Sequence, residues 1–87
     1  MFLAKVYISL KPSVNDPQGL TIRSGLHQLG FDSALDVRAG KYIEIRVDED
    51  EESAARERVS EMCRQLLANP IIEDFRFDLE AENSPTR

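Results

Sequence analysis

The sequence is short of the residues that most chemistry requires. Cysteine occurs once, at Cys63, and histidine once, at His27. A lone cysteine cannot close an internal disulfide, and its usage fits a reducing cytoplasm. With one of each, no His/Cys cluster has metal-ligand spacing. Neither a Walker-type phosphate loop nor a dinucleotide fingerprint is present. No apolar run approaches the ~20 residues of a membrane span. The N-terminal stretch carries one lysine and a short strand-like run. It has no long apolar core and no small-residue cleavage site, so no signal peptide is expected. Basic residues are the minority, 11 Lys and Arg against 16 Asp and Glu, for a net charge of −5. Non-specific nucleic-acid binding relies on clustered Lys and Arg that neutralise phosphates, so this balance argues against it.

What remains is the composition of an ordinary globular domain, 41% hydrophobic and 31% charged. At 87 residues the chain is one domain. A chain of this size buries only roughly 60–65% of its unfolded surface, so a partner subunit would help to stabilise it.

Residues 2–10 alternate, with Phe2, Ala4, Val6, Ile8 and Leu10 on one face and Leu3, Lys5, Tyr7 and Ser9 on the other. Period two predicts a strand. The loop 11–16 follows and ends on Asp16-Pro17, a helix-start signal. Asp can accept the free N–H groups of the first turn, and Pro suits the first helical position. A helix is predicted over about Pro17–Leu29, with Gly30 as its left-handed stop. Gly19 and Gly25 lie inside it, and each costs ~1 kcal/mol relative to Ala, which suggests close approach of other backbone. Strand character returns from Phe31. Ala34, Leu35 and Val37 lead to Arg38-Ala39-Gly40-Lys41, and Tyr42, Ile43, Ile45 and Val47 follow. Two strands joined by a tight turn at Ala39-Gly40 account for this pattern best, with a single long strand broken by a glycine bulge as the alternative.

A second helix is predicted from near Asp50 to Ala68. Ala55, Val59, Met62, Cys63, Leu66 and Leu67 recur at three- and four-residue spacing, and Asn69-Pro70 stops the run. Residues 71–79 form a last strand with Phe75, Phe77 and Leu79 on one face. Residues 80–87 are polar, include Ser84-Pro85, and are expected to be a disordered tail, which leaves 1–79 as the domain. The expected order is β-α-β-β-α-β. Its natural packing is an α+β two-layer sandwich, an antiparallel sheet with both helices on one face. The other face would be open, so a dimer through sheet surfaces or strand edges is expected.

No catalytic constellation emerges. His27 reads as a boundary residue of the first helix. Cys63 reads as a small hydrophobe on the stripe of the second. Asp48 to Glu52 are five successive acids, but a calcium loop needs spaced ligands and a turn glycine. They read instead as the opening of a helix, where negative charge suits the dipole. Glu73 and Asp74 are adjacent in a strand and point to opposite faces, so they cannot act as a pair on one substrate. Arg38 and Lys41 flank a turn that could hold an anion or could be a solvated tip.

Five separated pieces carry a resemblance. They are Lys5–Lys11, Asp16-Pro17-Gln18-Gly19, Leu26-His27-Gln28-Leu29-Gly30, Asp36–Tyr42 and Met62–Phe75. As an ordered set over about residues 2–79 the chain resembles the PurS family, the small subunit of formylglycinamide ribonucleotide amidotransferase. Residues 48–58 and 80–87 carry no family signature.

The resemblance implies a step of purine biosynthesis. Formylglycinamide ribonucleotide, glutamine, ATP and water become formylglycinamidine ribonucleotide, glutamate, ADP and phosphate. It implies that glutaminase chemistry belongs to PurQ and ATP-dependent synthesis to PurL, with magnesium expected at PurL and no cofactor on this chain. It implies a cytoplasmic, dimeric or tetrameric adaptor that holds PurL and PurQ together and assists ammonia transfer. No nucleic-acid or membrane partner is expected. Asp16, Gln18, Gly19, Arg38 and Lys41 are the candidate subunit-contact residues, because core packing does not require their particular side chains. Helix capping by Asp16 is compatible with that role. An ACT-type small-molecule sensor has the same element order, but its turn after the first strand usually contains glycine, and Lys11–Asn15 contains none. An RNA-binding domain of this topology would display stacking aromatics on a basic surface, against the net charge.

Overall fold

Alternation along the first strand sets the whole sheet. The computed structural model describes residues 1–82. Strand β1 (Phe2–Leu10) is followed by helix α1 (Pro17–Gln28), strand β2 (Gly40–Val47), helix α2 (Glu52–Met62) with a π-helical continuation (Cys63–Leu67), and strand β3 (Glu73–Ala81). The strands form one antiparallel sheet in the order β2-β1-β3, with β1 in the centre. Register places Val6 opposite Ile43 on one side and Phe77 on the other. The apolar faces of all three strands therefore coincide. Phe2, Ala4, Val6 and Ile8 are buried on that face, with Ile43, Ile45, Phe75, Phe77 and Leu79 packed around them.

Helix α2 covers this face. Ala55, Val59 and Cys63 recur every four residues and are fully buried. Spacing of four keeps them on one side of the helix. Cys63 is thus the small core residue that its position predicts, and burial pushes its thiol pKa up. The helix relaxes into a π turn, where the Ala68 N–H donates to the Cys63 carbonyl at 2.9 Å. Helix α1 stops at a left-handed Gly30, whose φ is 96°. The N–H groups of Gly30 and Phe31 donate to the carbonyls of His27 and Leu26, closing the helix end as a Schellman motif.

The α+β class, the antiparallel sheet and the two helices are as expected. Three details differ. The sheet has three strands rather than four, because residues 31–39 form no strand. Both edges of β1 are already taken by β2 and β3. The Ala39 N–H is spent on the Asp16 carboxylate at 2.8 Å. Second, only α2 lies on the apolar face. Helix α1 makes no extensive contact with any strand, and Gly19 is its one buried residue. Third, β3 continues past 79, with Glu80 and Ala81 opposite Leu3 and Phe2, so these two are not tail. Residues 83–87 of that expected tail lie outside the described residues.

The outcome is an elongated chain of 49 × 30 × 16 Å with a radius of gyration of 16.9 Å. A compact domain of this length would have about 12 Å. Helix α1, which lacks extensive contact with the strands, forms an arm with its return segment.

Ile8 is 2% exposed and touches both edge strands through its register partners Lys41 and Phe75. Ile8→Ala should therefore cost about 2–5 kcal/mol, measured by urea denaturation. A loss under ~1 kcal/mol would mean that the core collapses around the site.

Candidate functional site

The five candidate residues fall at one junction, where the arm leaves and rejoins the sheet. Asp16 is the N-cap of α1, with Pro17 at the first helical position. One carboxylate oxygen of Asp16 accepts the Gly19 N–H at 3.0 Å, and the other accepts the Ala39 N–H at 2.8 Å. The residue is only 5% exposed. A carboxylate can be buried when both oxygens are bonded. Those bonds also hold its pKa below the ordinary 3.8, the Gly19 N–H first and the Ala39 N–H next, with the Arg38 charge adding to them.

Gly19 is required by the same geometry. A Cβ at this position would lie 2.1 Å from the Val37 carbonyl oxygen. Only glycine lets the returning backbone pass so close to the first helical turn. Gly25, where the sequence suggests a similar approach, has open space around it instead.

Arg38 closes the junction from the other side. Its guanidinium donates to the carbonyls of Lys11 at 2.9 Å and Val14 at 3.0 Å. It therefore shapes the loop 11–16 rather than waiting for an anion. Lys41 lies across the end of the sheet, with Nζ 3.4 Å from the Leu67 carbonyl oxygen and 3.8 Å from a Glu73 carboxylate oxygen. A cation there suits the carbonyl end of the α2–π helix. Asp16, Gln18 and Lys41 share a shallow cleft of about 230 Å³ with Leu10, Ala39, Gly40 and Glu73. Gln18 is exposed at its rim.

The acceptors and donors that complete the junction escaped sequence reasoning. The Lys11 and Val14 carbonyls, the Ala39 N–H and the Val37 carbonyl are backbone groups, and no residue type advertises them. His27 is similar. It is half-buried as expected, but Nε2 lies 2.8 Å from the Ala34 carbonyl oxygen and pins the outer turn of the arm.

The second face of the sheet is polar and its charges are internally matched. Lys5 pairs with Glu80 at 2.6 Å, Arg46 with Glu82 at 2.9 Å, and Lys11 with Asp74 at 2.7 Å. Tyr7 lies between Tyr42, with ring centroids 5.0 Å apart, and Arg76, whose guanidinium is 4.1 Å from the Tyr7 centroid. Tyr42 donates to Glu44, which pushes its pKa up to about 12. Among the described residues, no group of three or more His, Cys, Asp and Glu could hold a metal ion. Among the same residues, no helix is long and apolar enough to cross a membrane.

Against known proteins, residues 3–81 match the family model described as PurS, phosphoribosylformylglycinamidine (FGAM) synthase. The chain belongs to the PurS family. It is 46% identical over 77 residues to the phosphoribosylformylglycinamidine synthase subunit PurS of Synechocystis, covering 88% of this chain and 77% of that one. To the Bacillus subtilis PurS subunit it is 44% identical over 80 residues, or 92% and 94% of the two chains. A Bacillus subtilis PurS crystal structure superposes with a TM-score of 0.84 at 44% identity, over 93% of this chain and 100% of that chain. A chain of the Thermotoga maritima PurLQS structure does so with a TM-score of 0.81 at 26% identity, over 92% and 99%. Membership of the PurS family agrees with the resemblance read from the sequence, and the ACT-type and RNA-binding readings gain no support.

Two predictions follow from the junction. Gly19→Ala should destabilise the chain by about 1–3 kcal/mol through overpacking against Val37. Gly25→Ala, in open space on a helix, should be neutral or stabilising by up to ~1 kcal/mol. Equal effects in thermal melts would refute the contrast. The second prediction concerns acid. Because the folded pKa of Asp16 is depressed, its contribution is fully present above the unfolded value of 3.8 and is lost as pH falls through the lower folded value. Asp16→Asn should therefore flatten the acid limb of stability below about pH 4. An unaltered acid limb in the variant would show that Asp16 is not a source of it.

Proposed function

We propose that this chain is the adaptor subunit of an FGAM synthase. In this reading it carries none of the catalytic residues itself, and it bridges a glutaminase of the PurQ type and a synthetase of the PurL type. ATP and its magnesium belong to the PurL-type subunit, and the adaptor helps ammonia to pass between the two partners. The observation that carries the reading is the PurS match over residues 3–81, joined by the likeness to a chain of the PurLQS structure. The side-chain inventory supports it. His27 and Cys63, the two residues best suited to nucleophilic or acid–base work, are respectively engaged with a backbone carbonyl and sealed in the core.

Self-association belongs to the same proposal, and the arm is its best contact. Leu20, Ile22, Leu29, Phe31 and Leu35 are 41–79% exposed along α1 and its return. An isolated helix of 12 residues is marginal in water. Covering this surface with a second copy of the chain would stabilise the helix by removing its apolar side chains from water.

The test is reconstitution with PurL and PurQ. Omitting this chain should abolish glutamine-dependent FGAM formation while activity with ammonium salts persists, because free ammonia needs no transfer between subunits. Undiminished glutamine-dependent activity without the chain would overturn the adaptor reading.

A further inference from the structure

We propose that Arg23 is a recognition residue: its guanidinium takes a carboxylate side chain from the PurL-type or PurQ-type subunit. The proposal rests on the adaptor reading above and names the chemistry of one contact that this reading requires.

The basis is a census of positive charge. Among the described residues, every other Lys and Arg has an acidic partner or, at Arg38, two backbone carbonyls. Arg23 has neither, and its Nε is buried without a hydrogen-bond partner. With 16 acids against 11 bases in the chain, a cation left over is the unexpected state.

Its place on α1 shows what it faces. Spacing of four puts Gly19, Arg23 and His27 on one side of the helix. Gly19 lies against the Val37 carbonyl and His27 against the Ala34 carbonyl. Arg23 stands between them and is partly buried. The acids of the return segment, Asp32 and Asp36, are exposed and leave it unpaired. Ile22 and Leu29 lie roughly a third of a turn around the helix, so the charge is set apart from them.

A buried donor without an acceptor is costly, and native structures rarely leave one. Arginine can meet that cost by turning its fork outward to a carboxylate, which accepts Nε–H and one Nη–H together. The acceptor belongs to a protein surface rather than to a small ion. Arg23 lines neither the Gln18–Lys41 cleft nor two others of about 190 and 360 Å³. A small anion on it would therefore face solvent on most sides. A protein partner brings its own walls and excludes the water that weakens the pair. Desolvated arginines of this kind are frequent anchors of interfaces.

The test titrates the full chain into PurL and PurQ, mixed with ATP, magnesium and glutamine. The bound fraction is read by sedimentation at low and high salt. Arg23→Met keeps the length of the stem and removes the charge. It should raise the dissociation constant at least tenfold at low salt. Its affinity should also fall less steeply with salt than that of the wild type, because an ion pair is screened and a packing contact is not. Arg23→Lys keeps the charge without the fork and should recover only part of the loss. The melting temperature and association state of the isolated chain should match the wild type.

An unchanged dissociation constant in Arg23→Met overturns the proposal. Equal salt slopes overturn it too, because they would make the residue a packing group. Full recovery by Arg23→Lys overturns the forked contact. Loss of self-association in Arg23→Met places the acceptor on a second copy and overturns the choice of partner. If the wild type itself binds neither PurL nor PurQ, the adaptor reading falls, which no variant result can bring about. If Arg23→Met melts well below the wild type, Arg23→Gln takes its place with the same expectations and the same overturning results.

Discussion

The structure away from the sheet depends on one buried carboxylate. Asp16 satisfies the first turn of α1 and holds the returning backbone at Ala39 with its second oxygen. Several other features exist to make that arrangement possible. Pro17 starts the helix without a missing hydrogen bond. Gly19 removes the Cβ that would strike Val37. Arg38 uses its own donors on Lys11 and Val14, and its charge helps to keep Asp16 ionised. Taken singly, these residues resemble an ordinary helix start and a solvated turn. Taken together, they form a joint between an apolar sandwich and an arm that is nearly independent of it.

The sandwich itself was legible because its rules are local. Alternation gave β1 its two faces with the same bounds, Phe2–Leu10. Four-residue spacing of Ala55, Val59 and Cys63 identified the buried side of α2, and the depletion of His and Cys removed most catalytic chemistries. The strand expected at 31–38 fails to form for a tertiary reason. Apolar residues such as Leu35 and Val37 satisfy a strand pattern, but a strand also needs a free neighbour edge. The outer edge of β2 offers one, but the returning backbone is held on the start of α1 instead, with the Ala39 N–H on Asp16 and the Val37 carbonyl against Gly19. The arm was illegible for the same kind of reason. Leu20, Ile22, Leu26 and Leu29 form a stripe, and a stripe normally implies a core. Nothing in a single chain's sequence says whether that core lies in the same molecule.

Gly19 and Gly25 show how far one sequence signal can divide. Both break helix propensity by the same amount, and both raised the same expectation of close backbone approach. Gly19 meets it at the Val37 carbonyl, and Gly25 meets nothing within 4 Å. The difference lies in their depth along the arm. Gly19 is in the first turn, inside the joint, whereas Gly25 lies nearly two turns further out and has open space on the side where its Cβ would stand.

The distribution of apolar surface bears on how two copies would meet. The open face of the sheet first invites a face-to-face dimer. Its cations are already matched to carboxylates across the strands, as Lys5–Glu80, Arg46–Glu82 and Lys11–Asp74. Exposed pairs of this kind contribute only about 0–1 kcal/mol each, and burying them would cost hydration that their mutual attraction does not return in full. Tyr7 and Tyr42 are held in the same polar frame by Arg76 and Glu44. The arm presents the opposite balance. It exposes Leu29 at 73%, Phe31 at 56% and Leu35 at 79%, with few charges to strip. In the proposed self-association, contact through the arm would therefore remove apolar area from water at little electrostatic cost. It would also leave the polar sheet face and the Gln18–Lys41 cleft uncovered, as the proposed adaptor role requires.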